Sequence, residues 1–249
     1  MAGCFLSRKR RTSSSDVTKN LVISCEHATG RIPVNWSQYF QGAKRHLSSH
    51  RGYDIGALEV AQLLASRWRQ RVYAPVVSRL LIDNNRSPHH PRVFSSFVRS
   101  LNREQRQELF SHYYWPHRIR VEEELQKKID LYGKVVHIAV HSFTPVWNNI
   151  VRNADVGLLY DSKRHSEKVF CQQWLCAILE LSQYTIRVRR NYPYRGRDDG
   201  LTTWFRKRWS DRCYIGVELE INQAWVKSKG VKKWEKFKEV LVDSLDCVC

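Results

Sequence analysis

Leu21-Val-Ile-Ser24 is a short apolar run that ends in Cys25-Glu26-His27 and gives way to a loop holding Gly30 and Pro33, the pattern of a strand feeding a turn. Asp54 then stands where a helix N-cap would, with Ile55, Leu58, Ala61, Leu64 and Trp68 behind it at helical spacing, and Val72 to Val77 reads as a second strand. The alternation continues downstream. Ser78 to Arg92 reads as an ordered loop, and Asn102 to Tyr132 as one or two helices interrupted near Trp115-Pro116, where proline suits a first turn. The strongly apolar strand Val135 to Val140 terminates in His141-Ser142-Phe143. Val156 to Tyr160, a helix from about Arg164 to Leu181, Tyr184 to Val188, a last strand Tyr214 to Ile221 and a closing helix Val231 to Leu245 complete the series. Strands alternating with helices predict an α/β fold, a largely parallel or mixed sheet with helices on both faces. In such open sheets ligands gather at the carboxyl ends of the strands. No repeat of fixed period is present.

The chain of 249 residues, 42% hydrophobic, suits one sizeable domain, expected over 20–249. No apolar run approaches the roughly 20 residues needed to cross a bilayer. Residues 1–19, with a basic cluster at Arg8 to Arg11 followed by serines, have nothing to build a core from and are expected to form a disordered basic tail. Such a start also fits a mitochondrial or nuclear address. The seven cysteines are odd in number and scattered, with no CxxC pair, which predicts a reducing, intracellular setting, the cytoplasm foremost. A net charge of +18 favours acidic partners.

Three reactive groups sit where strands run out: His27, His141 and Glu220. Asp54 can reach the same rim. Two imidazoles and one carboxylate form the ligand set of catalytic zinc sites, with a fourth position kept for water. Zinc polarises a carbonyl and lowers the pKa of bound water from about 15.7 to about 7. A neighbouring glutamate, Glu220, can then take the water's proton and return it to the departing amine. Each residue also has an ordinary explanation: a hydrogen-bonded loop histidine, a helix cap at Asp54, a solvent-facing Glu220 alternating with Glu218. Cys25 and His27 offer a nucleophilic alternative.

Ordered blocks of this sequence resemble the N-formylglutamate amidohydrolase family from Leu21 to about Trp225. They are Ser24-Cys-Glu-His-Ala28 with Ile32-Pro33, Tyr53-Asp-Ile-Gly-Ala57, Ser78-Arg-Leu-Leu-Ile-Asp-Asn-Asn-Arg86, His141-Ser-Phe143, Asp155-Val-Gly-Leu-Leu-Tyr160, Asn191-Tyr-Pro-Tyr194 with Gly196, and Leu219-Glu-Ile-Asn222. The resemblance implies a three-layer α/β sandwich similar to the zinc carboxypeptidases. It implies hydrolysis of an N-formyl or N-acyl amino acid, with N-formyl-L-glutamate giving formate and glutamate in the type reaction. By the matching blocks His27 and His141 look like zinc ligands, with Asp54 or its competitor Glu26 as the third, and Glu220 looks like the catalytic carboxylate. The same matching makes His117 a catalytic candidate that would orient substrate or polarise an oxyanion, and makes Arg79, Asp83, Asn85, Arg86, Asn191 and Tyr194 candidates for binding a small anionic substrate. Guanidinium forks hold carboxylates bidentately, and an Arg79–Asp83 pair that only braces the fold is the alternative. Asn222 departs from the basic residue often found there in the family, and the arginines from Arg187 to Arg197 are unusual for a small-molecule enzyme.

With the metal site kept, the chain could instead deacylate a peptide or a modified side chain; a different class of function is nucleic-acid binding on an enzyme-like scaffold, suggested by the charge and by Trp204-Phe-Arg-Lys-Arg-Trp209 and Lys232-Lys-Trp-Glu-Lys236. Its counterpart is a solvated basic surface with the tryptophans turned inward.

Overall fold

Residues 135–143 and 214–222 are buried without a break, the mark of strands covered on both faces. The computed structural model describes residues 20–249, apart from the side chains at 227 and 228. The basic segment 1–19 lies outside the described residues. The first half contains β1 (Leu21–Ser24), α1 (Lys44–Leu47), α2 (Ala57–Arg67), β2 (Val72–Tyr73), α3 (Arg103–Leu109), α4 (Trp115–Tyr132) and β3 (Val135–Phe143). The second half contains β4 (Val146–Trp147), β5 (Ile150–Val151), β6 (Val156–Leu159), α5 (His165–Leu181), β7 (Val188–Arg190), α6 (Leu201–Arg206), β8 (Tyr214–Asn222), α7 (Ala224–Ser228) and α8 (Val231–Asp246).

Six strands form one sheet in the order β2-β1-β3-β8-β6-β7. The pairs from β2 to β8 are parallel, whereas β6 runs antiparallel to β8 and carries β7 with it. Side-chain alternation then sorts the residues into layers. Leu21, Ile23, Val136, Ile138, Val140, Val217 and Leu219 pack with α2, α5 and α8, while Val22, Val135 and Tyr214 pack with α4 and α6 on the opposite face. By that parity His137, His141, Glu218 and Glu220 share the second face. This is the expected sheet between helical layers, mixed rather than wholly parallel.

Some boundaries differ from expectation, each for a local reason. The strand read as 72–77 ends at Tyr73, two residues before Pro75, which has no N–H to give a ladder. The one read as 184–188 begins only at Val188, because Gln183 and Tyr184 take positive φ at the end of α5. Helices α3 and α4 are joined by a π-helical turn, Phe110–Tyr114, rather than broken, with Pro116 in the first turn of α4 as expected. Asp54 does not cap α2: the N-cap is Gly56 at φ 84°, with no side-chain cap bond. Among the described residues no helix is long and apolar enough to cross a membrane.

A candidate metal centre and its cavity

The site forms where β1, β3 and β8 end. His27 follows β1, and its carbonyl accepts the Asp54 N–H at 2.9 Å, so the loop before α2 is tied to the strand end and Asp54 faces the sheet. His141 and Glu220 are register partners on adjacent strands. Asp54 Oδ2 lies 2.9 Å from His141 Nδ1 and 3.3 Å from His27 Nδ1, and also accepts the Ser142 N–H at 3.3 Å. One ligand atom from each of His27, Asp54 and His141 lies within 4.8 Å of the other two, and all three residues are buried. Donors about 2.0–2.2 Å from a tetrahedral zinc stand roughly 3.3 Å apart, so the trio can close on a small divalent ion.

The far nitrogen of each imidazole meets a different acid. His27 Nε2 lies 2.8 Å from Asp83 Oδ1. His141 Nε2 lies 3.0 Å from Glu26 Oε2, an ionic contact off the hydrogen-bond direction. Carboxylates behind ligating histidines are the usual outer support of such a centre. Glu26 therefore stands behind His141, and Asp54 is the acid that faces both Nδ1 atoms. Arg79 bridges the two aspartates, 3.4 Å from Asp54 and 3.2 Å from Asp83.

The charges respond to this packing. Burial opposes ionisation of Asp54 and Asp83, but His27, together with Arg79 and, for Asp54, His141, outweighs it and holds both carboxyls far below their usual range. Burial would lower the pKa of His141, yet Asp54 and Glu26 raise it well above normal. Burial lifts Glu220 to about 8, helped by Asp54 and Glu218 and opposed by His141 and Arg79. Among the described residues its Oε2 is buried with no hydrogen-bond partner. A lone buried oxygen beside two imidazoles and a carboxylate is the arrangement a cation and a bound water would complete, so the donor set fits a metal.

His27, Asp54, His141 and Glu220 line one cavity of about 270 Å³, together with Arg79, Asn85, Arg86 and Tyr194. Tyr194 is half-exposed, and its hydroxyl accepts from Arg152 at 3.2 Å. Two of the expected site residues lie off this cavity. His117 is fully buried 3.8 Å from Glu26 and does not line the cavity, so it can act on the centre only through Glu26. Asn191 is also outside the cavity, its carbonyl oxygen taken by the N–H groups of Tyr160 and Gly196, each at 3.0 Å. It organises the loop before Tyr194. Asn85 has its carbonyl engaged by the Leu201 N–H at 2.7 Å, and Asp83 is spent on His27 and Arg79. Both the bracing role foreseen for the Arg79–Asp83 pair and an opening of Arg79 onto the cavity are present.

The nucleophilic alternative finds no support in the geometry: Cys25 is fully buried, and burial, with Glu26 and Asp54 nearby, pushes its thiol pKa far up. Glu218 and Glu220 are both buried rather than solvent-facing. Asn222 stitches two loops, donating to the Ala154 carbonyl and accepting from the Ala224 N–H. The tryptophans of the basic stretches pack inward: Trp234 is buried, Trp209 lies against Phe205 and Tyr214, and Trp204 against Arg118.

Sequence reading missed one wall of the cavity. Strands β4 and β5 form a hairpin whose turn, Asn148-Asn149, has φ of 48° and 61°, and Trp147 from it lines the cavity beside Arg92, Arg195, Asp198 and Asp199. Paired asparagines between two short apolar runs are the available signal for such a turn.

Comparison with curated proteins gives no match. A gene product of Agrobacterium tumefaciens, known from its crystal structure, is 28% identical, with a TM-score of 0.73 over 91% of this chain and 90% of its own. The crystal structure of N-formylglutamate amidohydrolase from Ralstonia eutropha shares the fold at 15% identity, with a TM-score of 0.68 over 92% of this chain and 93% of that one. The model of the N-formylglutamate amidohydrolase family matches residues 19–226, and so the chain that gathers these histidines and acids at its strand ends belongs to that family, an amidohydrolase acting on amide bonds.

Proposed function

We propose that this amidohydrolase removes the formyl or acyl group from an N-acylated acidic amino acid, N-formyl-L-glutamate in the simplest case, and that it depends on one zinc ion held by His27, Asp54 and His141. The observation that carries the reading is the convergence of three buried ligand atoms within 4.8 Å, with an acid behind each imidazole. A divalent ion bound there supplies Lewis acidity, polarising the amide carbonyl and making water more acidic.

The rest of the reaction falls to side chains. Glu220, on the strand beside His141 and with an oxygen free of other bonds, takes the proton from the attacking water and gives it to the leaving nitrogen. Its raised pKa suits both halves of that exchange, since a carboxylate near neutrality holds a proton as readily as it releases one. Arg79 and Arg86 line the cavity and offer guanidinium groups to substrate carboxylates. Asp83 and Glu26 fix the two imidazoles, and His117 steadies Glu26 from behind. The absence of a disulfide among the six described cysteines supports a reducing intracellular setting.

The test is formate release from N-formyl-L-glutamate by protein loaded with one equivalent of zinc. Activity should vanish with a chelator and return on reloading. Glu220→Gln should keep the metal and lose about 10²- to 10⁴-fold in kcat, whereas His141→Ala should lose the metal itself. A fully loaded protein that frees no formate from any N-acyl acidic amino acid defeats the proposal.

A further inference from the structure

Beside the catalytic cavity lies a second, larger one. Its volume is about 700 Å³, and the two share Arg79, Arg86 and Arg92. The catalytic cavity, about 270 Å³, falls just under the roughly 300–1,000 Å³ of ordinary ligand pockets and is enough for a single amino-acid derivative. The adjoining trough is a full ligand site by the same measure. Besides the shared arginines it carries Arg51, Arg99 and Arg106, and its one acid, Asp83, is already taken by His27 and Arg79.

Four of these cations are not held by counter-charges. Among the described residues Arg51, Arg92, Arg99 and Arg106 have no carboxylate within ion-pair distance: Arg51 meets His46, and Arg106 meets the Arg99 carbonyl and the Phe94 ring. Guanidinium groups gathered on a concave wall repel one another until an anion arrives, and they raise the local concentration of anions. Nothing in a free N-formylglutamate would extend that far.

We propose that the preferred substrate is an N-formylated or N-acylated acidic peptide, its capped amino end in the catalytic cavity and its carboxylates laid along the arginine trough. This rests on the amide-hydrolase reading above. Water adds to the acyl carbonyl and the C–N bond of the cap breaks. The proton from that water goes to the peptide nitrogen, leaving formate and a peptide with a free amino end. A peptide fits better than a nucleic acid, because the trough adjoins a cavity whose reaction centre cleaves amides.

The experiment compares kcat/KM for N-formylglutamate and for formyl-Glu-Asp-Glu-Asp on zinc-loaded protein, and pairs it with binding of the same peptide, labelled at its carboxyl end, to Glu220→Gln protein. The peptide should be the better substrate by at least tenfold, with the gain shrinking in high salt. Arg99 and Arg106 line the trough but not the catalytic cavity, so R99A/R106A should raise KM for the peptide tenfold and leave N-formylglutamate turnover unchanged. Equal kcat/KM for the two substrates, or an equal loss on both in the double variant, overturns the inference while the amide-hydrolase reading stands. If neither substrate is turned over, that reading fails, and the trough is judged by binding alone. A labelled acidic peptide binding no more tightly than formyl-Gln-Asn-Gln-Asn, or displaced as well by a short single-stranded RNA as by unlabelled peptide, overturns it.

Discussion

Glu26→Gln and Asp54→Asn separate two acids that stand one residue shell apart. Asp54 Oδ2 faces both Nδ1 atoms at 2.9 and 3.3 Å, whereas Glu26 touches His141 only at its outer nitrogen, 3.0 Å away. Zinc binding by protein ligands is worth about 10–16 kcal/mol in structural sites; shared over four positions, each ligand accounts for about 3 kcal/mol, more than a hundredfold in affinity. Losing an outer carboxylate typically costs 10- to 100-fold, about 1.4–2.7 kcal/mol. In a competition titration against a chromophoric chelator, Asp54→Asn should therefore lose more than a hundredfold. Glu26→Gln, which keeps an oxygen toward His141, should lose less than that. Cobalt in place of zinc adds an independent readout. Its visible bands should persist in Glu26→Gln, where the ligands are intact, and change shape in Asp54→Asn. If Glu26→Gln weakened zinc as much as Asp54→Asn, or altered the cobalt bands in the same way, the assignment of inner and outer acids drawn from these distances would be wrong.

Two further tests address the scaffold under the site. His137 lies between Ser24 Oγ at 2.7 Å and Tyr214 Oη at 2.8 Å, and burial drops its pKa to about 4. Against an unfolded value of about 6.5, the unfolded chain takes up the proton first, so stability falls with pH between about 6.5 and 4, by up to about 3 kcal/mol. Unfolding free energies from urea titrations at pH 7 and pH 4 should differ by that much less in His137→Asn, and an unchanged pH dependence would contradict the buried neutral ring. Gly157 is paired with Glu220, and a Cβ there would sit 2.0 Å from the Tyr192 carbonyl oxygen and 3.2 Å from Glu220 Cβ. Gly157→Ala should destabilise by about 1–3 kcal/mol, read from the thermal midpoint, and should lower formate release through Glu220; a midpoint equal to that of the parent protein would show that the backbone has room to shift.

Local pattern was enough for the strand ends, because β3 and β8 are buried on both faces, and their apolar residues mark them as strands even though β3 carries His137 and β8 carries Glu218 and Glu220 within them. It could not rank Asp54 against Glu26. A short acid before a helix satisfies the N-cap rule and the ligand rule alike, and the choice depends on a contact from His27 O to Asp54 N and on which imidazole nitrogen points where, both made across the fold. The same limit hid the fates of His117 and Asn191. Each stands in a recognisable block, but whether a polar side chain in such a block meets substrate or saturates its neighbours is decided by chain segments far away in sequence, Glu26 for the one and Tyr160 for the other. The charge of +18 was visible from the outset, while its meaning was not: a count of arginines has no direction, and only the segment from Arg86 to Arg106, which runs into α3, folding beside Arg79 turns part of it into a concave wall beside the catalytic cavity. That wall is the reason to look beyond a single amino acid for the substrate, since guanidinium groups without carboxylate partners, set on a wall adjoining the catalytic cavity, gain most from a ligand that carries several carboxylates at once.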